Sequence, residues 1–225
     1  MAKKTVVLGM QIDNYTCRSS VSHAEKYLNN MIVNDVQMVF LDTLNEAVKD
    51  PDIGVYLENV DLSVISDVEI LPMIDGDSKT RRREIEDAYF VRIFAKRIRE
   101  SGKTVCILAE SEESAAWFAD YLSDTCPNIN LTEAIIIQPD SEDFNWERVV
   151  NDINSRNAGV VVSLLDVSRN KDLMTDYKTQ LSIEVFWGIG NHYERLERSS
   201  GFFGGIRKAI LKKFIYRRAN KYTEE

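Results

Sequence analysis

Short β-branched apolar runs alternate along the chain with stretches whose apolar residues recur at three- and four-residue spacing. That alternation is the sequence form of a mostly parallel sheet flanked by helices, a Rossmann-like α/β fold. Seven runs read as strands: 5–8, 38–41, 62–65, 105–108, 134–137, 160–165 and 183–187. They are mostly apolar on consecutive positions, as expected where both faces are covered. Ser20 and Ser22 precede Ala24, Leu28, Met31 and Ile32, which predicts a helix ending near Asn34. A second run starts at Asn45, and Pro51 opens a new helical turn. Residues 82–100 read as one long helix, with Ala88, Val91, Phe94, Ala95 and Ile98 on one side and Ser101-Gly102 at its end. Helices over 111–122, 146–154 and 171–180 complete the set, and the polar stretch 74–83 reads as a loop, either an active-site segment or a connector.

Composition narrows the classes. With 225 residues and 44% hydrophobic content the chain can bury a core without disulfide or metal support. Cys17, Cys106 and Cys126 are odd in number and lack Cys-x-x-Cys spacing, which argues against a disulfide framework or a zinc site and for a reducing cytoplasm. His23 is expected on a helix surface; His192, the other imidazole, follows a strand, and neither has a carboxylate or cysteine at ligand spacing, so no metal is expected. No apolar run reaches the ~18 residues of a membrane span, and no cleavable leader is legible, so a protein neither exported nor membrane-spanning is expected. The net charge of −8 argues against nucleic acid as a partner.

That average conceals an asymmetry. From Gly201 onward seven Lys/Arg face two glutamates, a net of +5, while residues 1–200 carry −13. The Gly-Phe-Phe-Gly-Gly joint at 201–205 divides an α/β domain, 1–200, from a basic appendage, 201–225. On a helical wheel Phe203, Ile206, Ile210 and Phe214 share one side and Lys208 and Lys212 the other. Such a segment either docks on its own domain or rests on an anionic bilayer, where each nearby Lys or Arg adds ~1 kcal/mol.

In open parallel sheets ligands bind beyond the carboxyl ends of the strands. Three polar clusters sit there: Asp42 to Asn45, Ser66-Asp67, and Gly188 to His192. Asp67 has the chemistry of a general base and equally that of a helix cap. Thr43 and Asn45 can hold a ligand or cap a strand-to-helix turn, and Arg81-Arg82-Arg83 can be a solvated charge run. Neither a Gly-x-Gly-x-x-Gly nor a phosphate-loop motif occurs.

The order Thr43-Leu44-Asn45, then Asp61-Leu62, then Asp67 resembles the WecG/TagA/CpsF family of bacterial glycosyltransferases. Asp13-Asn14 with the helix after it is similar to that family's opening segment, Asp50-Pro51 to its next helix, and Gly159 to Gly190 to its strand–turn–strand block, so the likeness spans most of 10–220. It implies inverting transfer, without metal or cofactor, of a hexosaminyl unit. The donor would be a nucleotide sugar such as UDP-N-acetylmannosamine, and the acceptor a polyprenyl-diphosphate-linked saccharide. Asp67 would be the base, Thr43 and Asn45 would orient reactants, and Arg82, Asp87, Asn170, Gly188, Gly190 and His192 would bind substrate. Tail residues Arg207, Lys208, Lys212, Lys213, Arg217 and Arg218 would seat the protein on the inner face of the cell membrane and neutralise the leaving diphosphate.

Several family glycines are replaced, by Val68-Glu69-Ile70 and by Ala109-Glu110, and the family's glutamine and glutamate are Asn170 and Lys171. Those changes support the alternative of a catalytically degenerate relative that partners another glycosyltransferase. Self-association into a homo-oligomer is also a family habit.

Overall fold

A computed structural model describes residues 4–199. Seven parallel strands form the sheet in the order β4-β3-β9-β8-β5-β6, with β7 also paired to β5. They are β3 (Asn34–Val39), β4 (Leu62–Ile65), β5 (Thr104–Ala109), β6 (Asn130–Leu131), β7 (Ile135–Ile136), β8 (Val160–Ser163) and β9 (Val185–Gly188). This is the expected Rossmann-like α/β architecture.

The strand expected at 5–8 is not part of that sheet. It is β1 (Lys4–Val7), and it turns back through Leu8 and Gly9, at φ 48° and 88°, into the antiparallel β2 (Met10–Asp13). Two consecutive positive φ values make a tight hairpin whose twist matches its strands. Asp13 ties the hairpin to the sheet edge: its backbone N–H donates to Ser63 Oγ (2.6 Å) and its carboxylate accepts the Ser63 N–H (2.9 Å).

Among the described residues eight helices cover the sheet: α1 (Cys17–Tyr27), α2 (Leu41–Lys49), α3 (Pro51–Asn59), α4 (Lys79–Glu86), α5 (Tyr89–Glu100), α6 (Glu112–Thr125), α7 (Trp146–Ser155) and α8 (Val167–Tyr177). Several bounds differ from expectation for identifiable reasons. Helix α1 stops at Tyr27, leaving Met31 and Ile32 exposed instead of on an apolar face. The long helix expected over 82–100 is broken by Ala88, which adopts a left-handed φ of 46°, and its first half is α4, capped by Ser78. Part of the stretch read as a loop is therefore helical. Helix α8 starts four residues early because the Asp166 carboxylate caps it through the Arg169 N–H (2.9 Å). His23 is half-buried, stacked on Tyr15 with Nδ1 2.8 Å from the Ser19 carbonyl, not free on a surface.

Alternate residues of each strand feed two cores. One face packs α1, α5 and α6 around Phe90, Phe94, Phe118 and Trp187; the other packs the hairpin, α2, α3, α7 and α8 around Ile12, Leu44, Leu57, Leu173 and Phe186. Burying each such side chain stabilises the fold by about 1.5–3 kcal/mol. Cys17, Cys106 and Cys126 are free and buried within the two cores.

Strand β3 begins at Asn34, four residues before the predicted run, because its polar residues are satisfied inside. Gln37 Nε2 donates to Asp35 Oδ1 (2.6 Å), Asn170 Nδ2 approaches Gln37 Oε1 (3.4 Å), and Ser163 donates to Asn170 Oδ1 (2.6 Å). A polar strip thus crosses the second core between β3, β8 and α8. Burial pushes the Asp35 carboxyl up to about 7, against the lowering influence of Gln37. The unfolded chain releases that proton near pH 4, so between about pH 4 and 7 the folded state binds the extra proton. Stability from this group is full below that window and falls as pH rises through it. An Asp35→Asn variant keeps the acceptor without the charge. Its melting temperature relative to the parent is expected to rise by a few degrees between pH 5 and 8; a difference that stays constant over that range would contradict the assignment.

Candidate active site at the carboxyl ends of the strands

Strands β3 and β4 end side by side, and the chain leaving each supplies a carboxylate. Phe40 caps α2, so Asp42 falls in the first turn of that helix. After β4, Asp67 caps a short 3-10 helix, Val68–Met73, by accepting the Glu69 N–H at Oδ1 (3.0 Å). Its Oδ2 accepts the Leu41 N–H (3.3 Å) and Arg195 Nη1 (2.8 Å). Asp67 is 8% exposed, so it is both a cap and a carboxylate facing the end of the sheet.

Arg195 comes from the segment that follows β9, a 3-10 helix over Asn191–Ser199. Its guanidinium bridges Asp67 and Asp42 and lies over the Phe40 ring, 5.5 Å from the centroid. The Phe40 ring also meets His192, tilted, at 4.9 Å between centroids. Burial first, and then the positive Arg195, hold the His192 imidazole below its ordinary range, which favours its neutral form.

Two small cavities flank this group. One, of about 50 Å³, lies between Phe40, Ser66, Glu84, Tyr89 and Arg195. Glu84 lines this cavity, and its Oε2 is buried without a hydrogen bond. Cys17 lines the same cavity, but burial, reinforced by Glu84, pushes its thiol up to about 12, so it offers no thiolate at neutral pH. The second cavity, of about 10 Å³, brings together Thr43, Glu46, Asn170, Gly190 and His192. Burial, with Asp166 and Asp42 nearby, raises the Glu46 carboxyl above its ordinary range.

The expected site residues thus divide. Asp67 stands at the junction of β3 and β4; Thr43, Asn170, Gly190 and His192 share a cavity close by. Thr43 is buried and its hydroxyl accepts the Phe40 N–H (3.4 Å), so it shapes the start of α2. Asn170 is 1% exposed and fully engaged with Ser163, Gln37 and the Leu165 carbonyl. Gly188 faces inward: a Cβ there would sit 1.9 Å from Gln37 Oε1, so this glycine makes room for the polar strip. Gly190, at φ 80°, makes the turn that carries His192 and Arg195.

Asn45 is exposed on α2 and lines neither cavity. Arg82 is held by Asp77 and Asp87 pairs with Arg83 at 3.5 Å, and both flank the Glu84–Glu86 stretch that lines the first cavity. In the arginine run it is Arg81 that is buried, donating to Asn14 Oδ1 (2.7 Å) and the Tyr15 carbonyl (2.8 Å), which locks α4 to the start of α1. Ser78, a cap three residues upstream, was the available signal for that inward face. Arg195 had none, since its partners lie more than a hundred residues away.

Among the described residues no group of three His, Cys, Asp or Glu is placed to hold a metal ion, and no helix is long and apolar enough to cross a membrane. The tail residues Arg207, Lys208, Lys212, Lys213, Arg217 and Arg218 lie outside the described residues.

The model of the glycosyl transferase WecG/TagA/CpsF family matches residues 5–196. The chain belongs to this family. The match runs from the hairpin to the residue after Arg195, so the whole sheet and every element around Asp67 fall within it. Membership in the WecG/TagA/CpsF family supports a glycosyltransferase, a role compatible with carboxylates gathered at the carboxyl ends of a parallel sheet. No curated protein matches the chain at a significant level.

Proposed function

We propose that the protein transfers a hexosaminyl unit, as from UDP-N-acetylmannosamine, to a polyprenyl-diphosphate-linked saccharide in bacterial cell-surface polysaccharide synthesis. The observation that carries this reading is the Asp67 carboxylate, fixed by the Leu41 and Glu69 N–H groups where β3 and β4 end and beside a cavity with an unpaired Glu84 oxygen. In a direct inverting displacement the acceptor hydroxyl oxygen attacks the anomeric carbon and gives its proton to Asp67. The bond from that carbon to the diphosphate oxygen breaks, and the nucleoside diphosphate leaves with the electron pair. No metal or cofactor takes part in this scheme. Glu84 borders one of the two small cavities beside this carboxylate, and Thr43 and His192 border the other. The basic segment beyond residue 200 forms a second unit in this reading, seating the protein on the cytoplasmic face of the membrane and offsetting the charge of the departing diphosphate.

A second reading has specific support. Asp67 already accepts three hydrogen bonds, and Asn170, in the family's glutamine position, is sealed in the core. A chain so arranged could serve as a non-catalytic partner of another glycosyltransferase. Thermal-shift titration of the full chain against a panel of nucleotide sugars separates the two. Saturable stabilisation by one of them, growing with concentration as binding linkage requires, is expected. No shift with any donor would favour the partner reading.

A further inference from the structure

We propose that Arg195 is a latch: in the free protein it occupies the base, and an anion that takes its guanidinium releases Asp67 for use. The identity of that anion, the donor's diphosphate, rests on the glycosyl-transfer reading; the latch itself rests on geometry. Arg195 Nη1 donates to Asp67 Oδ2 at 2.8 Å and Nη2 reaches Asp42, so one side chain spans the ends of two strands. Asp67 Oδ2 accepts both the Leu41 N–H and the guanidinium, so that oxygen has no lone pair left for a hydroxyl proton, while Oδ1 accepts the Glu69 N–H and keeps one. The Asp67 side chain is 9% exposed, whereas those of Arg195 and Asp42 are 42% and 51% exposed. The guanidinium can therefore be reached from solvent while its partner cannot.

The mounting of the residue suits that role. Leu196, the next residue, is buried, so the backbone is anchored while the long side chain extends over Phe40. Glu84 and Glu86 border the same cavity, and burial and Arg195 hold the His192 imidazole below its ordinary range. A guanidinium presents its donors in a fixed fork that fits paired oxygens of carboxylates and phosphates alike. A diphosphate carries more charge than either aspartate and can win the fork without a change of fold. The exchange couples arrival of the anion to release of the Asp67 Oδ2 lone pair that the guanidinium occupies.

Calorimetric titration of the full chain with inorganic pyrophosphate tests the latch. Arg195→Gln should weaken binding about tenfold or more, and Asp67→Asn should tighten it about tenfold, because the guanidinium is set free. In the Arg195→Gln background the Asp67→Asn gain should shrink below about threefold, since no latch remains to release. Arg195→Lys, which keeps one charge but cannot span both carboxylates, should fall between the parent and Arg195→Gln, and melting curves of each variant confirm that it folds. Equal binding by the parent and Arg195→Gln would overturn the proposal. So would an Asp67→Asn gain of the same size in both backgrounds, the mark of a general field effect, or an absence of pyrophosphate binding by both the parent and Asp67→Asn. The coupled pattern in a protein that binds no nucleotide sugar would uphold the latch and reject the donor assignment.

Discussion

Replacing Asp67 with asparagine is expected to lower glycosyl transfer by about 10² or more while leaving the fold intact. Asparagine caps a helix as well as aspartate does, so the Glu69 N–H keeps its acceptor and the 3-10 turn after β4 keeps its start. What disappears is the charge that can take a proton from the acceptor hydroxyl. The contact to Arg195 also weakens, but that pair is partly exposed on the arginine side and contributes little to stability. The loss should therefore appear in turnover, with donor affinity held or improved. A steady-state comparison of kcat and KM checks this. An Asp67→Asn protein with full turnover would remove Asp67 from the chemistry.

Truncating Phe94 to alanine is expected to have the largest effect on stability. Phe94 is fully buried on α5 and meets Trp187 edge-on at 5.1 Å and Phe90 at 5.3 Å, so three rings lock that helix to the middle of the sheet. Removing one ring leaves a void that rigid neighbours cannot fill, at a cost of about 3–5 kcal/mol. For a chain of this length that corresponds to a drop of about 10 °C or more in Tm. Thermal unfolding followed by circular dichroism measures it. A drop of only about 1–2 °C would mean that the core around Trp187 is far looser than these contacts indicate.

Much of this architecture is legible in the residue pattern, and its failures have physical causes. The strands at 62–65, 105–108 and 160–163 are apolar on every or nearly every position, so their burial on both faces shows directly. The first half of β3 is hidden because Asn34, Asp35 and Gln37 are polar yet buried: Asp35 and Gln37 bond each other, and Asn34 and Gln37 also meet Glu184 and Asn170 far along the chain. The hairpin reads as one strand because Leu8, a residue that resists positive φ, forms half of its turn. Nothing in the sequence marks Ala88 as the point where a long amphipathic helix breaks.

The site divides along the same line. Asp67 stands out because a carboxylate just after an apolar run is informative under either of its roles, and the structure gives it the cap in a buried position at the end of the sheet. Thr43 and Gly190 are placed near it by local geometry that the chain order foreshadows. Asn170 and Gly188 read as ligand contacts by position; in the structure both meet the buried strip through Gln37, and Asn170 also borders the second cavity. Arg195 is the opposite case: inconspicuous in a charged segment, it becomes central only when β9 is inserted beside β3 and delivers it to Asp42 and Asp67.

The central claim is that this chain moves a sugar from a nucleotide donor to a lipid-linked acceptor. The most direct measurement is the release of UDP from UDP-N-acetylhexosamines by the full chain, with and without a polyprenyl-diphosphate-linked saccharide presented in anionic vesicles. The account predicts UDP release that requires the acceptor and is lost in Asp67→Asn; release from no donor, with acceptor present and the protein folded, would contradict it.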